Sequence, residues 1–250
     1  MILLAALSLS CITMIAFSLS LSSSHRRIPY CNITMAMVMA RHPIQIQTNS
    51  PNPEIAISTV RDLSHNKFTG QIPTELDSLT NLKYLHLDLS HNSLTGPIPT
   101  ELGTLTNLEY LHLDLSHNQL TGGIPSELGA LTNLKYLHMD LSNAQLTGTI
   151  PSQLGMLNNS AEYMDLSHNE LTGTIPGTVG ALTKLEYLLD LSHNNLTGTI
   201  AGELGYLSVL KFMDLSYNKL TGVPKGMDHL VDLKYLDLSH NKLTGSINGL

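Results

Sequence analysis

The string Asp-Leu-Ser recurs along most of the chain, and this repeat constrains the fold more than any other feature of the sequence. Its copies begin at Asp62, Asp88, Asp114, Asp140, Asp165, Asp190, Asp214 and Asp237. A repeat of roughly 20 to 30 residues is one supersecondary unit that cannot bury its apolar side alone, so neighbouring units must stack. The sequence therefore predicts a solenoid over residues 57–250, with about eight units, the last one incomplete.

Within one unit, the residue pattern predicts a strand followed by a tight turn. Residues 236–239, Leu-Asp-Leu-Ser, alternate apolar and polar side chains, as a half-buried strand does. A Thr-Gly pair then marks a turn or bulge, because glycine tolerates backbone conformations that a Cβ would forbid. The glycines of these pairs are Gly70, Gly96, Gly122, Gly148, Gly173, Gly198, Gly222 and Gly245. The following Glu-Leu-Gly-x-Leu segment is too short for a full α-helix and predicts a 3₁₀ or helical turn.

The same unit, from Leu-x-x-Leu-x-Leu-Ser-x-Asn through Leu-x-Gly-x-Ile-Pro, resembles the plant-type extracellular leucine-rich-repeat family. Residues 108–125 show the match, which extends from Asp62 to the end of the sequence, and Gly-x-Ile-Pro is its specific element. The resemblance implies an α/β solenoid, a right-handed superhelix with a concave parallel β-sheet and short 3₁₀ or helical turns outside. It also implies a ladder of buried asparagines at Asn66, Asn92, Asn118, Asn169, Asn194, Asn218 and Asn241.

Insertions in some units depart from the family pattern. Three early units carry two extra residues, a histidine and an apolar residue, before the repeat aspartate. Two extra residues preserve strand alternation, so His86, His112 and His138 are expected to point to the concave side. A single extra residue at Leu188-Leu189 predicts a β-bulge there.

The asparagine ladder is interrupted once, at Ala144. If each asparagine bonds to backbone groups of the turn, alanine leaves those groups unsatisfied at a cost of about 1–3 kcal/mol. The sequence therefore predicts a weak point at this unit. Asn143 is the candidate replacement, by a shift of one residue.

The concave face is the predicted ligand-binding surface, because aromatic side chains on an open sheet are good binding anchors. The candidate contacts are an aromatic column (Tyr84, Tyr110, Tyr136, Tyr163, Tyr187, Phe212 and Tyr235), a histidine column (His86, His112 and His138) and an aspartate column (Asp88, Asp114, Asp140, Asp165, Asp190, Asp214 and Asp237). In the alternative, each tyrosine only covers its neighbours. The columns hardly vary between units, which suits a repetitive ligand, a recent duplication or no concave ligand.

The sequence predicts neither catalysis nor a cofactor. Asp, Ser and His recur in one short stretch of most units, where a strand sets them side by side and not in a proton relay. A cation on the aspartate column is an alternative, but solvated carboxylates are the favoured interpretation, so we predict no metal site. With 13 Lys and Arg against 20 Asp and Glu, a formal charge of −7 argues against nucleic acid as a partner.

The N-terminal residues are predicted to direct the chain out of the cytosol. Residues 1–24 are uncharged and mostly apolar and predict a secretory signal peptide, with an uncleaved membrane anchor as the alternative. Residues 25–56 are predicted to form a degenerate N-terminal cap or linker, in which Cys31 loses Cys11 as a partner after cleavage. In a secreted protein, sequons at Asn32, Asn158 and Asn195 are candidate glycosylation sites.

We therefore expect a secreted or cell-surface protein that recognises a protein or peptide in cell-surface signalling or defence. The resemblance favours a polygalacturonase-inhibitor-like protein or a receptor ectodomain, with a wall-degrading enzyme or a co-receptor as partner. Self-association through the uncapped C-terminal edge is a second candidate interaction. The alternatives are a truncated receptor fragment without function and a structural or ice-binding protein. The ice-binding alternative depends on regular threonine pairs at Thr147-Gly148-Thr149, Thr172-Gly173-Thr174 and Thr197-Gly198-Thr199.

Overall fold

The computed structural model describes residues 58–74, 79–222 and 226–245, which all belong to one compact unit. The predicted signal peptide, the cap or linker at 25–56 and the sequon at Asn32 lie outside the described residues. In the described ranges, no helix has the length and apolar character that a membrane span requires.

Short strands and 3₁₀ turns alternate along the chain. In chain order the strands are β1 (Ser58–Asp62), β2 (Thr69–Gly70), β3 (Tyr84–Asp88), β4 (Ser93–Gly96), β5 (Tyr110–Asp114), β6 (Gln119–Leu120), β7 (Tyr136–Asp140), β8 (Ala161–Asp165), β9 (Leu188–Asp190), β10 (Thr197–Thr199), β11 (Phe212–Asp214), β12 (Lys219–Gly222) and β13 (Tyr235–Asp237). The 3₁₀ turns are Thr100–Thr104, Ser126–Ala130, Ser152–Leu157, Gly177–Ala181, Gly202–Tyr206 and Met227–His229.

One parallel sheet joins the repeat units. Its strand order is β1-β3-β5-β7-β8-β9-β11-β13, whereas β2, β4 and β6 form a smaller sheet and β10 pairs with β12. Because the order of the main sheet follows the chain, each unit stacks on the preceding one. The predicted solenoid, with 3₁₀ turns outside the sheet, is therefore confirmed.

Alternation along each main strand places apolar side chains inside the solenoid. In β3, Leu85 and Leu87 are 2% and 1% exposed, whereas Tyr84, His86 and Asp88 beside them are half-buried. Equivalent leucines of successive units pack into one continuous core. Burial of apolar area contributes roughly 25 cal/mol per Å², so stacking, and not any single unit, supplies the stability.

A residue in the left-handed conformation directs the chain away from each main strand. It follows Asp-Leu-Ser and has φ between 51° and 53° in every described unit. These residues are His65, His91, His117, Asn143, His168, His193, Tyr217 and His240. Most glycines of the Thr-Gly pairs also have positive φ, so their predicted backbone role is confirmed at all except Gly222.

The asparagine after the left-handed residue ties consecutive units together, as predicted. The Oδ1 of Asn118 accepts the Leu94 N–H at 2.9 Å, and its Nδ2 donates to the Leu89 carbonyl oxygen at 3.0 Å. Both partners belong to the preceding unit, so one side chain pairs backbone groups of its neighbour. The same two contacts are made by Asn92, Asn169, Asn194, Asn218 and Asn241. Asn66 bonds within its own unit.

The ladder breaks at Ala144, and Asn143 does not replace the missing asparagine. Asn143 takes the left-handed position with φ 53°, and its Nδ2 donates to the Ser142 hydroxyl at 3.2 Å. The expected shift by one residue is wrong, because the Asn143 amide bonds to Ser142 in its own unit and not to backbone groups of the preceding unit. The N–H of Leu120, the equivalent of Leu94 N–H, consequently has no asparagine oxygen to which it can donate.

The β-bulge lies one unit earlier than predicted. The pairing of β7 with β8 shifts register at Glu162, which has no residue opposite it. β8 and β9 pair without a shift, so the bulge expected at Leu188-Leu189 is wrong. The register is lost where the last of the three lengthened units meets a shorter one, since the repeat aspartates on both strands stay aligned.

Candidate binding surface

The outward side chains of the main sheet form one open surface, which we call the sheet face. On β3, β5 and β7 it presents a tyrosine, a histidine and an aspartate, each half-buried between core residues. His86, His112 and His138 therefore lie on the open side of the sheet, as expected from the two-residue insertions.

The rings on the sheet face stack along the solenoid. Tyr84, Tyr110 and Tyr136 form one stack, with ring centroids 4.1 and 4.4 Å apart. A second stack contains His86, His112, His138 and Tyr163, with centroids 4.2, 4.3 and 4.0 Å apart. In-register strands about 4.8 Å apart bring identical rings together in this way. Because the rings cover one another's faces, the surface offers ring edges, hydroxyl groups and imidazole nitrogens to a ligand.

The predicted single aromatic column is wrong from Tyr163 onward. This residue pairs with His138 on one side and Leu188 on the other, so its ring belongs to the histidine stack. The physical reason is the length of the early strands. Their extra residues move the tyrosines two positions further from the repeat aspartate, and the register follows the aspartate.

The aromatic residues of the later units form a separate group. Phe212 and Tyr235 stack on each other with centroids 4.2 Å apart. Tyr187 precedes β9 and is 51% exposed, and the Lys211 ammonium lies 5.0 Å from its ring centroid. Stacking therefore stops and restarts near the middle of the sheet face.

The repeat aspartates lie in register at the ends of the main strands, as predicted. In each, Oδ1 accepts the N–H of the serine two residues later at 2.8–3.2 Å. Burial raises the pKa of Asp140 and Asp190 and brings that of Asp165 to about 6, and neighbouring carboxylates add to these shifts. At the two ends, hydrogen bonds from serine lower the pKa of Asp62 and Asp237.

The pKa values of the buried imidazoles beside this column shift in the opposite direction. Burial lowers the pKa of His112 and brings that of His138 to about 4, and neighbouring histidines add to both shifts. These two rings are therefore uncharged at neutral pH. The sheet face presents carboxylates next to neutral rings.

A third set of stacked rings, the rim ladder, was not predicted from the sequence. It consists of the left-handed residues that follow Asp-Leu-Ser. His65, His91 and His117 stack with centroids 4.2 and 4.1 Å apart. His168, His193, Tyr217 and His240 form a second run, 4.0, 4.1 and 4.0 Å apart. The recurring Ser-His-Asn string was the available signal, and Asn143 stands between the two runs.

A fourth regular feature, the threonine flank, follows the Thr-Gly turns. It consists of Thr147, Thr149, Thr172, Thr174, Thr197 and Thr199. The hydroxyls of Thr172 and Thr197 donate to carbonyl oxygens of the preceding unit at 3.1 and 3.3 Å. Thr149 and Thr174 line an open groove of about 600 Å³ whose lining contains no charged residue.

The second threonine of each Thr-Gly-Thr segment packs its methyl group against a glycine of the next unit. A Cβ built on Gly173 would lie 2.8 Å from Cγ2 of Thr149, and one on Gly198 would lie 2.7 Å from Cγ2 of Thr174. The glycines therefore make room for these methyl groups, which restricts the threonine rotamers. The flank therefore consists of threonines that recur in the same place in successive units.

Two of the predicted glycosylation sites lie in the described ranges. Asn158 is exposed and Asn195 is half-buried, so both sequons lie at or near the surface. No group of three or more His, Cys, Asp or Glu side chains in these ranges has a geometry suited to a metal ion.

Comparison with known families identifies the repeat. Two family models described as leucine-rich repeats match the chain, one over residues 187–243 and the other over 62–79, 81–105, 107–131 and 160–182. Together they cover more than half of the sequence. The chain therefore belongs to the leucine-rich-repeat family. A search of curated proteins gave no match.

Solved structures of similar sequence include ectodomains of plant receptor kinases. The Arabidopsis receptor kinase HAESA, in complex with the peptide hormone IDA and the co-receptor SERK1, is 37% identical with a TM-score of 0.65, over 74% of this chain and 30% of that one. The ectodomain of GASSHO1/SCHENGEN3 from Arabidopsis thaliana, in complex with CASPARIAN STRIP INTEGRITY FACTOR 2, is 39% identical with a TM-score of 0.60, over 74% and 24%. This chain thus spans less than a third of either receptor ectodomain.

An ice-binding protein from a plant is also similar. It is 31% identical with a TM-score of 0.53, over 76% of this chain and 66% of that one. Chains similar to this one are thus found among receptor kinases and among ice-binding proteins, so the individual surfaces must distinguish between these functions.

Proposed function

We propose that the protein is an extracellular recognition module whose sheet face binds a protein or peptide. The observation that supports this is the row of half-buried Tyr, His and Asp side chains that the main sheet holds open and in register. Aromatic and charged residues on a rigid sheet are preorganised for binding, because little side-chain entropy remains to be lost. The receptors similar to this chain are in complex with the peptide hormone IDA or with CASPARIAN STRIP INTEGRITY FACTOR 2, which agrees with the proposal.

The proposal assigns the contacts to the sheet-face columns and gives the chain no catalytic role. We propose that the protein is receptor-like or inhibitor-like and acts in signalling or defence. Its proposed location is the cell surface or the cell wall. A co-receptor or a wall-degrading enzyme is the proposed partner class, and glycans at Asn158 and Asn195 would lie away from the main strands.

A peptide-display selection against the whole protein tests this function. The diagnostic variant carries Tyr110→Ala, His112→Ala and Asp114→Ala, which remove outward side chains of β5 and leave its core leucines. We expect selected peptides to bind this variant at least about tenfold more weakly, because anchors at the centre of an interface carry most of its energy. A control with Thr149→Ala and Thr174→Ala should bind normally. Selected peptides that bind the triple variant as tightly as the wild type would contradict the proposal.

Ice binding through the threonine flank is the second candidate function. It is favoured by the hydroxyl rows, which adjacent glycines hold at the repeat spacing, and by the similarity to a plant ice-binding protein. A regular, uncharged row of hydroxyl and methyl groups suits an ordered water surface, because each group meets an equivalent partner.

An ice-recrystallisation assay distinguishes the second candidate from the first. If the flank binds ice, wild-type protein should inhibit recrystallisation, and the Thr149→Lys, Thr174→Lys variant should lose most of this effect, since two hydrated ammonium groups disrupt the row. The β5 triple variant should retain it. Absence of inhibition by the wild type would remove this candidate.

A further inference from the structure

The sheet face and its rim are uniform except near the middle of the array. The tyrosine stack ends at Tyr136, the histidine stack ends at Tyr163, and the rim ladder is interrupted at Asn143. A ligand that binds at one position along a repetitive surface needs a feature that the other units lack. The interruption of the rim ladder is such a feature, because the facing sides of His117 and His168 have no ring stacked on them.

The interruption has the shape of a slot one unit wide. Its walls are the free faces of His117 and His168, and each wall ring is supported on its other face, by His91 at 4.1 Å and by His193 at 4.0 Å. The walls lie two units apart, which corresponds to roughly 10 Å. A planar group between the walls, beyond the shorter side chain of Asn143, would have about the same ring spacing as the rest of the ladder. Asn143 lies between the walls, and its amide donates to the Ser142 hydroxyl.

The charges around the slot favour a planar cation. Asp140 and Asp165 pair with each other on the adjacent strands, and their Oδ1 atoms accept serine N–H groups. His117 lies close enough to Asp140 to lower the pKa of its carboxyl group, although burial outweighs this effect. Carboxylates therefore lie beside the stacking walls. A guanidinium group combines a flat face that stacks on aromatic rings, a positive charge and several donors for carboxylates, and neither a lysine ammonium nor a neutral ring has all three.

We propose that the slot between His117 and His168 binds the guanidinium group of an arginine in the peptide or protein ligand. The wall rings stack on the two faces of the guanidinium plane, and Asp140 accepts from its N–H groups. The slot rests on the proposed function in one respect, since that function supplies the peptide or protein that contains the arginine. The slot itself can be tested with a single amino-acid derivative.

The test uses N-acetyl-arginine amide as the probe and the imidazole Hε1 resonances of the whole protein as the readout. We expect saturable shifts, in the millimolar range, for His117 and His168 but not for His65. N-acetyl-lysine amide has the same charge but no planar guanidinium group, so it should shift the two histidine resonances at least about fivefold less. N-acetyl-phenylalanine amide should shift them weakly, because its side chain has no charge and no donor for Asp140.

Two reciprocal variants make the test specific. Asn143→His introduces the residue that most other units place at φ 51–53°, so the protein should fold while the slot is closed and the saturable shift is abolished. His91→Asn removes one ring between His65 and His117 and should create a second slot, with new shifts at these two histidines. Circular dichroism and the thermal midpoint check that both variants are folded.

The outcomes separate the slot from the wider function. Binding that survives Asn143→His, or equal shifts from the lysine and arginine probes, would overturn the slot. If the arginine probe binds as expected but display selection yields no sheet-face peptide, the slot is supported and the proposed function fails. Selected peptides that need the sheet face but are unaffected by Asn143→His would support the function and refute the slot.

Discussion

Gly129→Ala is expected to lower the free energy of unfolding by about 3 kcal/mol, because the added methyl group has no room against the backbone of the next unit. A Cβ at this position would clash with the carbonyl oxygen of Gln153 and would lie 2.8 Å from its carbonyl carbon. Gln153 belongs to the 3₁₀ turn of the next unit, so the obstacle is backbone and not a flexible side chain. Relief of the clash requires the two turns to separate.

The same close approach is repeated between successive units. Gly103, Gly155, Gly180 and Gly205 each lack room for a Cβ because a backbone carbonyl oxygen of the following turn occupies the space. None of these glycines has a positive φ, so the requirement comes from stacking and not from backbone conformation. The Leu-Gly glycine therefore sets how closely the outer turns pack, just as strand pairing sets the spacing on the sheet side.

Gly123→Ala is the matched control, six residues away in the same unit. The nearest heavy atom to its added Cβ is the Thr147 carbonyl oxygen at 3.7 Å, an ordinary contact. This variant should be neutral or slightly stabilising, by up to about 1 kcal/mol, because alanine restricts the unfolded chain. Urea and thermal unfolding measure both variants, and Gly129→Ala should lower the thermal midpoint by about 6–12 °C. A loss below about 1 kcal/mol would mean that the outer turns slide apart freely.

Much of the fold could be predicted from the sequence, because it depends on the repeat period. The strand, the turn, the 3₁₀ segment and the asparagine ladder each have a residue signature that recurs with the unit, and all were found at the expected positions. The outward direction of His86, His112 and His138 also followed from strand alternation alone. Periodicity determines these features since each one is a property of a single unit.

Features that arise between units were harder to predict. Two of these features are the bulge at Glu162 and the stacking of Tyr163 on the histidines. Both depend on which of two neighbouring strands accommodates the difference in length, and one unit alone does not determine this. The rim ladder required knowledge that the residue after Asp-Leu-Ser is left-handed, which places its ring over the next one. The close approach at Gly129 likewise involves the following unit.

Loss of one rung of the asparagine ladder is also expected to have a large effect on stability. Asn118→Ala should lower the free energy of unfolding by about 2–3 kcal/mol, because the Leu94 N–H and the Leu89 carbonyl oxygen both lose a buried partner. Asn118 is 7% exposed, so water replaces these contacts only if the turn opens. Amide hydrogen exchange of Leu94 should become at least about tenfold faster, which reports the local opening even if unfolding is not two-state.

The natural interruption at Ala144 provides the reciprocal experiment. Ala144→Asn should restore the rung to the Leu120 N–H and stabilise the protein by about 1 kcal/mol. In the wild type, the Leu120 amide should already exchange faster than Leu94 and Leu146, whose N–H groups donate to asparagine oxygens at 2.9 and 3.0 Å. Equal protection at all three amides would show that another acceptor serves Leu120. A stabilised Ala144→Asn variant that loses arginine binding would instead show that the interrupted ladder and the adjacent slot depend on the same local opening.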